Sequence, residues 1–183
     1  MRAVQILLTL LVLQGSIANA DHDDAKSLAD QVKAAFIFKF CSYVEWPREL
    51  FSSPDSPIVI GTLERDASMA RLLKETVRDR QVGKRPVEIR ILPDETDQVT
   101  GVHVLYLGGK SRQIHDQITA LRGKPVLIVT DQAQGLEIGS SINFRREDER
   151  IRFDISLTSA QTNRLKISSR LLAVARRIEG AAP

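Results

Sequence analysis

The stretch from residue 102 to residue 131, VHVLYLGGKSRQIHDQITALRGKPVLIVTD, places an amphipathic segment between two apolar runs. The runs Val102–Leu107 and Val126–Val129 are almost entirely apolar, which is typical of interior parallel strands covered by helices on both faces. Between them, Ile114, Ile118 and Leu121 recur at helical spacing. The stretch therefore predicts a strand, a helix and a second strand parallel to the first.

Further helices and strands are predicted upstream of this unit. Apolar residues at helical spacing run from Leu28 to Phe40, and the run stops at Trp46-Pro47, because proline disfavours a helical residue before it. The other upstream elements are a buried strand at Ile58–Ile60, an amphipathic helix from Met69 to Val77, a turn at Gly83 and an alternating strand from Val87 to Ile91.

The last third of the chain predicts an antiparallel hairpin. Ile142–Phe144 and Ile151–Ile155 alternate apolar and polar residues on either side of a charged link, Arg145–Arg150. A short helix with Thr158 and Gln161 at capping-box spacing is expected next. It is followed by a closing helix, capped by Ser168 or Ser169, with Leu171, Val174, Ala175 and Ile178 on one side and Arg176 and Arg177 at its end.

The order of these elements predicts the fold class. Repeated strand–helix–strand units require helices on both faces of a parallel sheet. We therefore expect an α/β fold, a three-layer α/β/α sandwich with a mixed, mainly parallel sheet and a C-terminal antiparallel hairpin. Residues 21–183 are enough for one domain with a hydrophobic core, and no linker or repeat divides them.

Residues 1–20 have the pattern of a signal peptide. Arg2 gives a basic start, Ala3–Leu13 is an apolar run without charge, and Ala18-Asn19-Ala20 supplies the small-x-small site that a signal peptidase cuts. An apolar run of this length is too short to span a bilayer, which needs about 20 residues, although a retained membrane anchor is the alternative. The sequence therefore predicts export, with a mature chain that starts near Asp21 and has no second membrane segment.

The charge balance bears on the class of partner. The chain has 26 Lys and Arg against 23 Asp and Glu, a net charge of +3, and cleavage of the leader would remove Arg2 and leave +2. Such a small, dispersed charge argues against nucleic-acid binding. The single cysteine, Cys41, lies among aromatic residues and cannot form an intramolecular disulfide. Either a buried, inert thiol or a bridge between two chains is expected there.

A glycine pair after the first strand of the opening stretch suggests an anion site. Gly108-Gly109-Lys110-Ser111 resembles part of a phosphate-binding loop, in which backbone N–H groups approach an anion. Val104 stands where the full motif requires its first glycine. A plain turn with Ser111 as helix N-cap is therefore the favoured interpretation.

Acidic and basic residues follow the other predicted strands at the same edge of the sheet. Glu64, Arg65, Asp66 and Asp131 occupy these positions, and open α/β sheets bind ligands beyond the carboxyl ends of their strands. A small-molecule site is therefore the alternative hypothesis. Its candidate residues are Gly108, Gly109, Lys110, Ser111 and Asp131.

No catalytic or metal-binding pattern is present in the sequence. There is no Gly-x-Ser-x-Gly motif, and His22, His103 and His115 lie in three unrelated predicted settings. No pair of His, Cys, Asp or Glu residues with metal-ligand spacing has a second such pair elsewhere. The sequence therefore predicts a protein that is not an enzyme and has no cofactor or metal.

Two separated blocks of the sequence resemble the YfiR family of periplasmic proteins. The first is KAAFIFKFCSYVEWP, residues 33–47, an aromatic helix that closes on Val-Glu-Trp-Pro. The second consists of INF at residues 142–144, IRFDI at 151–155 and LKISSRLL at 165–172. The likeness covers roughly residues 28 to 177, and neither block is catalytic.

The resemblance implies regulation by contact. Well-known members of that family lie in the periplasm, form dimers and repress an inner-membrane diguanylate cyclase of the GGDEF type by binding its periplasmic part. Such a repressor would lower cyclic-di-GMP signalling and biofilm formation. The resemblance therefore implies a homodimer that binds an inner-membrane signalling protein and does not insert into the membrane after signal cleavage.

The chain departs from the family pattern in three places. Relatives with several cysteines can use disulfides, whereas this chain has Cys41 alone. Ile155-Ser156-Leu157 replaces the Ile-Asn-Leu of many members, and Arg164 replaces a common glycine. Because Asn tolerates the left-handed conformation, we expect the turn to be retained with its break at Asn163.

A partner surface is predicted on the hairpin and at the start of the last helix. Its candidate residues are Asn143, Arg152, Asp154, Ser168 and Arg170, although hairpin hydrogen bonds or charge pairs explain several of them as well. Phe36, Phe40, Tyr43 and Trp46 are instead expected to pack into the core, since they share one helical face. A small-ligand sensor that acts on another membrane protein is the second functional hypothesis.

Overall fold

The computed structural model describes residues 26–95, 99–109 and 113–180. The predicted signal peptide at residues 1–20 lies outside these ranges, as do Lys110 and Ser111 of the predicted ligand site. The α-helices of the described chain are α1 (26–40), α2 (Ala67–Val77), α3 (Gln113–Ala120), α4 (Leu157–Thr162) and α5 (Ser169–Leu172), and two short 3-10 helices lie at Arg48–Leu50 and Glu64–Asp66. The strands are β1 (Val44–Glu45), β2 (Ile58–Leu63), β3 (Gln81–Val82), β4 (Arg85–Leu92), β5 (Val104–Leu107), β6 (Leu127–Thr130), β7 (Ile142–Glu147), β8 (Arg150–Ser156), β9 (Lys166–Ile167) and β10 (Arg177–Glu179).

Eight of these strands form one mixed sheet in the order β10-β8-β7-β6-β5-β2-β4-β3. The neighbours pair in parallel except for β7 with β8 and β3 with β4, which are antiparallel. The predicted α/β fold with its mainly parallel sheet and antiparallel hairpin is therefore confirmed.

Side chains of the central strands divide between two hydrophobic cores. Ile60 and Val104 pack with α1 and α2 on one face, whereas Val59 and Leu105 pack with α3 on the other. Successive side chains of a strand point to opposite faces, so a strand that is apolar throughout needs cover on both sides. This arrangement gives the three layers that the apolar runs predicted.

One face of the hairpin packs against α1. Phe144 and Phe153 contact Phe36 and Phe40 of α1, with ring centroids 5.1 to 6.2 Å apart. Phe36, Phe40, Tyr43 and Trp46 all belong to or border this core, as expected. The helical face predicted for them was wrong in part, because α1 ends at residue 40 and Tyr43 and Trp46 lie beyond it. Cys41 is 2% exposed, and burial raises the pKa of its thiol to about 12.

Two predicted boundaries near the hairpin were wrong. The charged link Arg145–Arg150 is not a loop, because strand pairing continues to Glu147 and Arg150. Only Asp148 and Glu149 form the turn, and both have positive φ, as a tight two-residue hairpin turn requires.

The predicted closing helix was also wrong. Its first part exists as α5, which is only four residues long and is capped by Ser168, whose hydroxyl accepts the N–H of Leu171. Residues 177–179 instead form β10, which pairs in parallel with β8. The apolar residues at helical spacing were misleading because strand pairing with β8 outweighs the local helical pattern.

Two further local predictions need correction. The short helix α4 is capped by Ser156, whose hydroxyl accepts the N–H of Ser159, and not by Thr158. The left-handed residue after α4 is Arg164 itself, with φ of 57°, whereas Asn163 has φ of −86°. Asn163 has another role. Its side-chain oxygen accepts the N–H of Gly123, and its amide nitrogen donates to the Val126 carbonyl.

Candidate functional site

A cleft of about 370 Å³ lies where the carboxyl ends of the central parallel strands meet α1 and the hairpin. The segments after β2, β5 and β6 converge there because their strands are parallel neighbours. The cleft is lined by Lys26, Ala29, Asp30, Lys33, Asp66, Ser68, Met69, Tyr106, Gly109, Asp131, Phe144, Arg145, Arg146 and Ile151. The lining therefore contains both carboxylate side chains and cationic side chains.

Lys33, Asp131 and Tyr106 form the polar centre of this cleft. Lys33 Nζ donates to Asp131 Oδ2 at 2.8 Å and to Asp30 Oδ1 at 3.0 Å. The hydroxyl of Tyr106, which is 3% exposed, donates to the same Asp131 oxygen at 2.9 Å. The other oxygen, Oδ1, is buried and accepts no hydrogen bond from the described residues. A charged acceptor without a partner is costly to bury, so Asp131 is suited to receive a donor from a bound molecule or water.

Burial and charge alter the acidities in the cleft. Burial alone would lower the pKa of Lys33, but its contacts with Asp131 and Asp30 outweigh burial and raise that pKa. Burial, and then the nearby Asp131 charge, raise the pKa of Tyr106 far above its ordinary value. Lys33 therefore stays cationic and Tyr106 stays a donor at neutral pH.

Asp66 occupies a second polar position in the cleft. Its Oδ2 accepts the N–H of Gly108 at 3.1 Å, and burial raises the pKa of its carboxyl. A Cβ at Gly108 would lie 2.7 Å from Asp66 Oδ1 and equally close to the Tyr106 ring. Glycine is thus required here by close packing, which is independent of any phosphate.

The other residues predicted at this sheet edge are placed as follows. Gly109 has a left-handed φ of 70°, and its carbonyl accepts a bond from the Gln132 side chain. Arg65 turns away from the cleft centre and donates to Gln117 Oε1 at 2.9 Å. Glu64 is exposed. The described part of the predicted ligand site therefore comprises Gly108, Gly109 and Asp131, and its ligand-binding role stays a prediction.

Two predicted partner-surface residues are buried. Asn143 is 2% exposed and exchanges hydrogen bonds with Gln132, whose N–H it accepts at 3.0 Å and to whose carbonyl it donates at 2.9 Å. It also accepts the Thr130 hydroxyl at 2.8 Å. A Cβ at Gly135 would lie 2.2 Å from its oxygen, so the loop is closed tightly over Asn143. Asn143 thus holds the loop after β6 in place.

Asp154 is buried for a different reason. It is 4% exposed, and Arg176 donates to it through both Nε, at 2.7 Å, and a terminal nitrogen. Arg145 Nε lies 4.0 Å from the same carboxylate. Arg176, expected at a helix end, therefore fastens the segment before β10 to the hairpin.

The other predicted partner residues lie near the surface. Arg152 and Arg170 are exposed, whereas Ser168 is half-buried and caps α5. The partner-binding role of all five candidates stays a prediction.

The two blocks that carry the family likeness meet in space. Val44 pairs with Ile167 and Glu45 with Lys166 in the two-stranded β1–β9 sheet. The N–H of Ser168 donates to the Tyr43 carbonyl at 2.9 Å, which extends this pairing. The residues of the two family-like blocks therefore lie side by side, although the blocks are far apart in the sequence.

His103 is a structural residue in the described chain. It is 6% exposed, its ring stacks on Phe51 at 4.7 Å, and its Nδ1 accepts the N–H of Val59 at 3.0 Å. Its carbonyl accepts the indole N–H of Trp46 at 3.0 Å. The ring therefore fastens the segment after β1 to the start of the central strands.

No group of three His, Cys, Asp or Glu residues within 26–95, 99–109 and 113–180 is arranged to hold a metal ion. Over the same residues, none of the helices combines the length and the apolar character that crossing a membrane requires.

The polar contacts of Lys33, Tyr106 and Arg176 could not be predicted from the local sequence pattern. Lys33 and Asp131 are separated by 98 residues, and Arg176 and Asp154 by 22. One sequence feature could have indicated a polar contact: Tyr106 lies in an otherwise apolar strand, and a buried tyrosine hydroxyl usually has a hydrogen-bond partner.

Comparison with known proteins gives both a similar fold and a family. The crystal structure of a conserved domain protein from Vibrio cholerae O1 biovar eltor str. N16961 is similar, with a TM-score of 0.51 and 12% sequence identity. The match covers 66% of this chain and 54% of that one, so this chain spans about half the length of the solved relative. At this identity the likeness concerns the fold alone. The model of the YfiR/HmsC-like family matches residues 30–176, and this chain belongs to that family.

Proposed function

We propose that this chain is a non-enzymatic periplasmic regulator that binds the periplasmic part of an inner-membrane diguanylate cyclase and represses it. Its action would lower cyclic-di-GMP signalling and biofilm formation. The observation that carries the proposal is the family match over residues 30–176, because the YfiR/HmsC-like family is periplasmic and regulatory. Residues 1–20 would act as the cleaved signal peptide and residues 21–183 as the single working domain.

The compartment dictates the mode of action. Cyclic-di-GMP is made in the cytoplasm, so an exported domain can influence its synthesis only through a protein that crosses the inner membrane. Repression then requires tighter binding to the inactive arrangement of the cyclase than to the active one. The ratio of these two affinities limits the degree of repression.

The docking surface is proposed to lie on β9, α5 and the outer face of the hairpin. Arg170 is exposed in α5, two residues after the Ser168 cap, and Arg152 is exposed on β8. Exposed arginines are common anchors in protein interfaces, because the guanidinium offers several donors in a fixed plane. These two side chains are therefore our preferred contact residues, with Ser168 holding the start of α5 in position.

Replacing Arg170 by alanine is expected to weaken binding to the purified periplasmic part of the cyclase by at least about tenfold, the size of a moderate interface contact. Isothermal titration calorimetry measures this change, and cellular cyclic-di-GMP should rise in parallel. Arg71→Ala, at an exposed position of α2, is the matched control and should bind normally. Equal affinities of the two variants would contradict the docking surface, and absence of binding by the unmodified chain would contradict the proposed partner.

The cleft supports the alternative function of a periplasmic small-ligand sensor that acts on another membrane signalling protein. Its favouring observation is Asp131, whose buried Oδ1 receives no hydrogen bond from the described residues and lies beside the cationic Lys33. We propose that Gly108, Gly109 and Asp131 contribute to this site, together with Lys110 and Ser111.

A sensor is expected to show a saturable rise in Tm with a member of a metabolite panel. Asp131→Asn should abolish that rise, since the amide replaces an acceptor oxygen with a donor. Asp116→Asn, exposed on α3, should leave it intact. A panel without any saturable shift would leave the repressor as the only function supported.

A further inference from the structure

Two arginines lie directly opposite each other on one face of the hairpin. Arg145 of β7 is the cross-strand partner of Arg152 on β8. Directly opposed side chains of an antiparallel pair lie about 5 Å apart at Cβ, and like charges in that position are destabilising. Arg152 is exposed and the Arg145 side chain is 39% exposed, so an outside molecule can reach this arginine pair, Arg145 and Arg152.

The arginine pair is an exception in this sheet. No other strand pairing within residues 26–95, 99–109 and 113–180 sets like charges opposite each other. Glu147 lies opposite Arg150 in the same hairpin, and Glu45 lies opposite Lys166 in the β1–β9 sheet. Burial in a core does not explain the exception, because both arginines reach solvent.

The carboxylate next to the arginine pair is already engaged. Asp154 lies two residues after Arg152 on β8, but it is 4% exposed and Arg176 donates to both of its oxygens. Arg145 is 4.0 Å from Asp154, and its guanidinium donates to the Ala133 carbonyl at 2.6 Å, which fixes its position. Arg152 forms neither a hydrogen bond nor an ion pair with the residues that the structure describes. Its charge is therefore not neutralised by any described acid.

The region around the arginine pair is basic as a whole. Residues 142–180 contain nine Lys and Arg against five Asp and Glu, whereas residues 26–95 contain twelve against eleven. Three of the five carboxylates are bound by arginines of the same region, in the pairs Arg146–Glu149, Arg176–Asp154 and Arg177–Glu179. The arginine pair thus lies in a field of positive potential that attracts anions.

We propose that the arginine pair binds a carboxylate side chain of the protein partner; the identity of that partner rests on the proposed function. A carboxylate between the two guanidinium groups would accept hydrogen bonds from both and remove their repulsion. Arginine suits this role because its planar donors match the two oxygens of a carboxylate. Because the surrounding region is also basic, the expected contact is a segment of the partner rich in Asp and Glu.

An anionic lipid surface fits this site less well than a protein does. Lipid-binding patches gather roughly four to eight Lys and Arg. Here Glu147 and Glu179 lie on the same sheet face as the arginine pair. Such a mixed pattern would repel parts of a uniformly anionic membrane, whereas a protein can place its charges to match. The observations therefore favour a protein carboxylate.

Charge reversal tests the repulsion in the free protein. Arg152→Glu should raise Tm by about 2 °C at low salt, because the new carboxylate lies opposite Arg145. Arg150→Glu is the matched control, since it makes the same change two residues away and sets like charges opposite each other at Glu147. The control should lower Tm. Differential scanning calorimetry measures both changes, and a lower Tm for both variants would overturn the proposed repulsion.

Binding is tested with a fluorescein-labelled hexaglutamate peptide and with the purified periplasmic part of the cyclase. Arg152→Gln should weaken the binding of both probes at least about fivefold in fluorescence anisotropy or calorimetry, because one of the two guanidinium donors is lost. Arg150→Gln removes the same charge and should change the affinity by less than about twofold. High salt should weaken binding of the unmodified chain and reduce the difference between the variants.

The two probes separate the acidic contact from the identity of the partner. Peptide binding that depends on Arg152, without any binding of the cyclase part, would support the carboxylate site and overturn the cyclase as partner. Cyclase binding that Arg152→Gln and Arg150→Gln change equally would support the partner and overturn the site. Binding to phosphatidylglycerol vesicles but not to the peptide would overturn the site in favour of a lipid surface, and binding to none of these probes would overturn both proposals.

Discussion

Replacing Arg176 by methionine should lower the free energy of unfolding by about 3 kcal/mol, the typical cost of leaving a buried carboxylate without its charged partner. Asp154 would lose its bidentate partner while its side chain is only 5% exposed. Arg145, at 4.0 Å, is too distant to replace both hydrogen bonds. Urea denaturation followed by circular dichroism measures the change.

An exposed arginine–carboxylate pair provides the control for this prediction. Arg146 and Glu149 form such a pair at the hairpin tip, with side chains 43% and 80% exposed. Arg146→Met should therefore cost less than about 1 kcal/mol. A loss of stability no larger for Arg176→Met than for this control would show that the Asp154 pair does not fasten β10 to the hairpin.

The Arg176–Asp154 ion pair also affects the interpretation of partner-binding experiments. A change at Asp154 would weaken binding simply by loosening β8 and β10, even if Asp154 never touched a partner. Asn143 has the same difficulty, because its loss would release the loop after β6. Arg170 and Arg152 are exposed, so their substitution tests contact without this confounding loss of stability.

Acidification should destabilise the protein through His103. Burial, and then the charges of Arg85 and Arg90, lower the pKa of His103 to about 4. The unfolded chain has an ordinary histidine pKa of about 6.5, so it binds the proton more readily than the folded chain between these values. The contribution of neutral His103 is therefore complete above about pH 6.5 and declines as the pH falls towards 4. The shift corresponds to about 3 kcal/mol in total.

Besides burial and the two arginine charges, protonation would disturb the hydrogen bond at Nδ1. A proton on Nδ1 would face the Val59 N–H, so the acceptor and its bond would both be lost. His103→Asn keeps an acceptor oxygen near that position but does not titrate, so its urea stability should fall less steeply between pH 6.5 and 4. His115→Asn on the exposed face of α3 should retain the steep decline. Parallel profiles for the unmodified chain and His103→Asn would contradict the prediction.

Much of the fold could be predicted from particular residues. The apolar runs at Val104–Leu107 and Leu127–Thr130 are buried between α1 and α2 on one face and α3 on the other, as continuous apolar strands require. The alternation in β7 and β8 placed Phe144 and Phe153 on the side of α1. In these segments the local pattern and the long-range pairing favour the same structure, which makes sequence reasoning reliable.

The C-terminal segment shows where such reasoning fails. Val174 and Ile178 are spaced as on a helix, yet they are 62% and 37% exposed, and Ile178 lies in β10. Arg176 decides the outcome by its contact with Asp154, and no local pattern encodes that contact. Arg164 likewise takes the left-handed position where a glycine is common in the family, because the turn after α4 is fixed by Asn163 and its distant partners.

Most of the longer helices and strands and the three layers could be predicted from the amino-acid sequence, because apolar periodicity is a local property that records which faces of an element are buried. The short strands β1, β3, β9 and β10 could not. Which polar groups meet depends on the three-dimensional packing: Lys33 contacts Asp131 in the cleft, Asp131 also accepts from Tyr106, and Arg176 pairs with Asp154 at the hairpin. Those contacts join residues from different elements. Their partners are chosen by how the strands pair and the helices pack, and the spacing of residues along the chain carries no record of that choice.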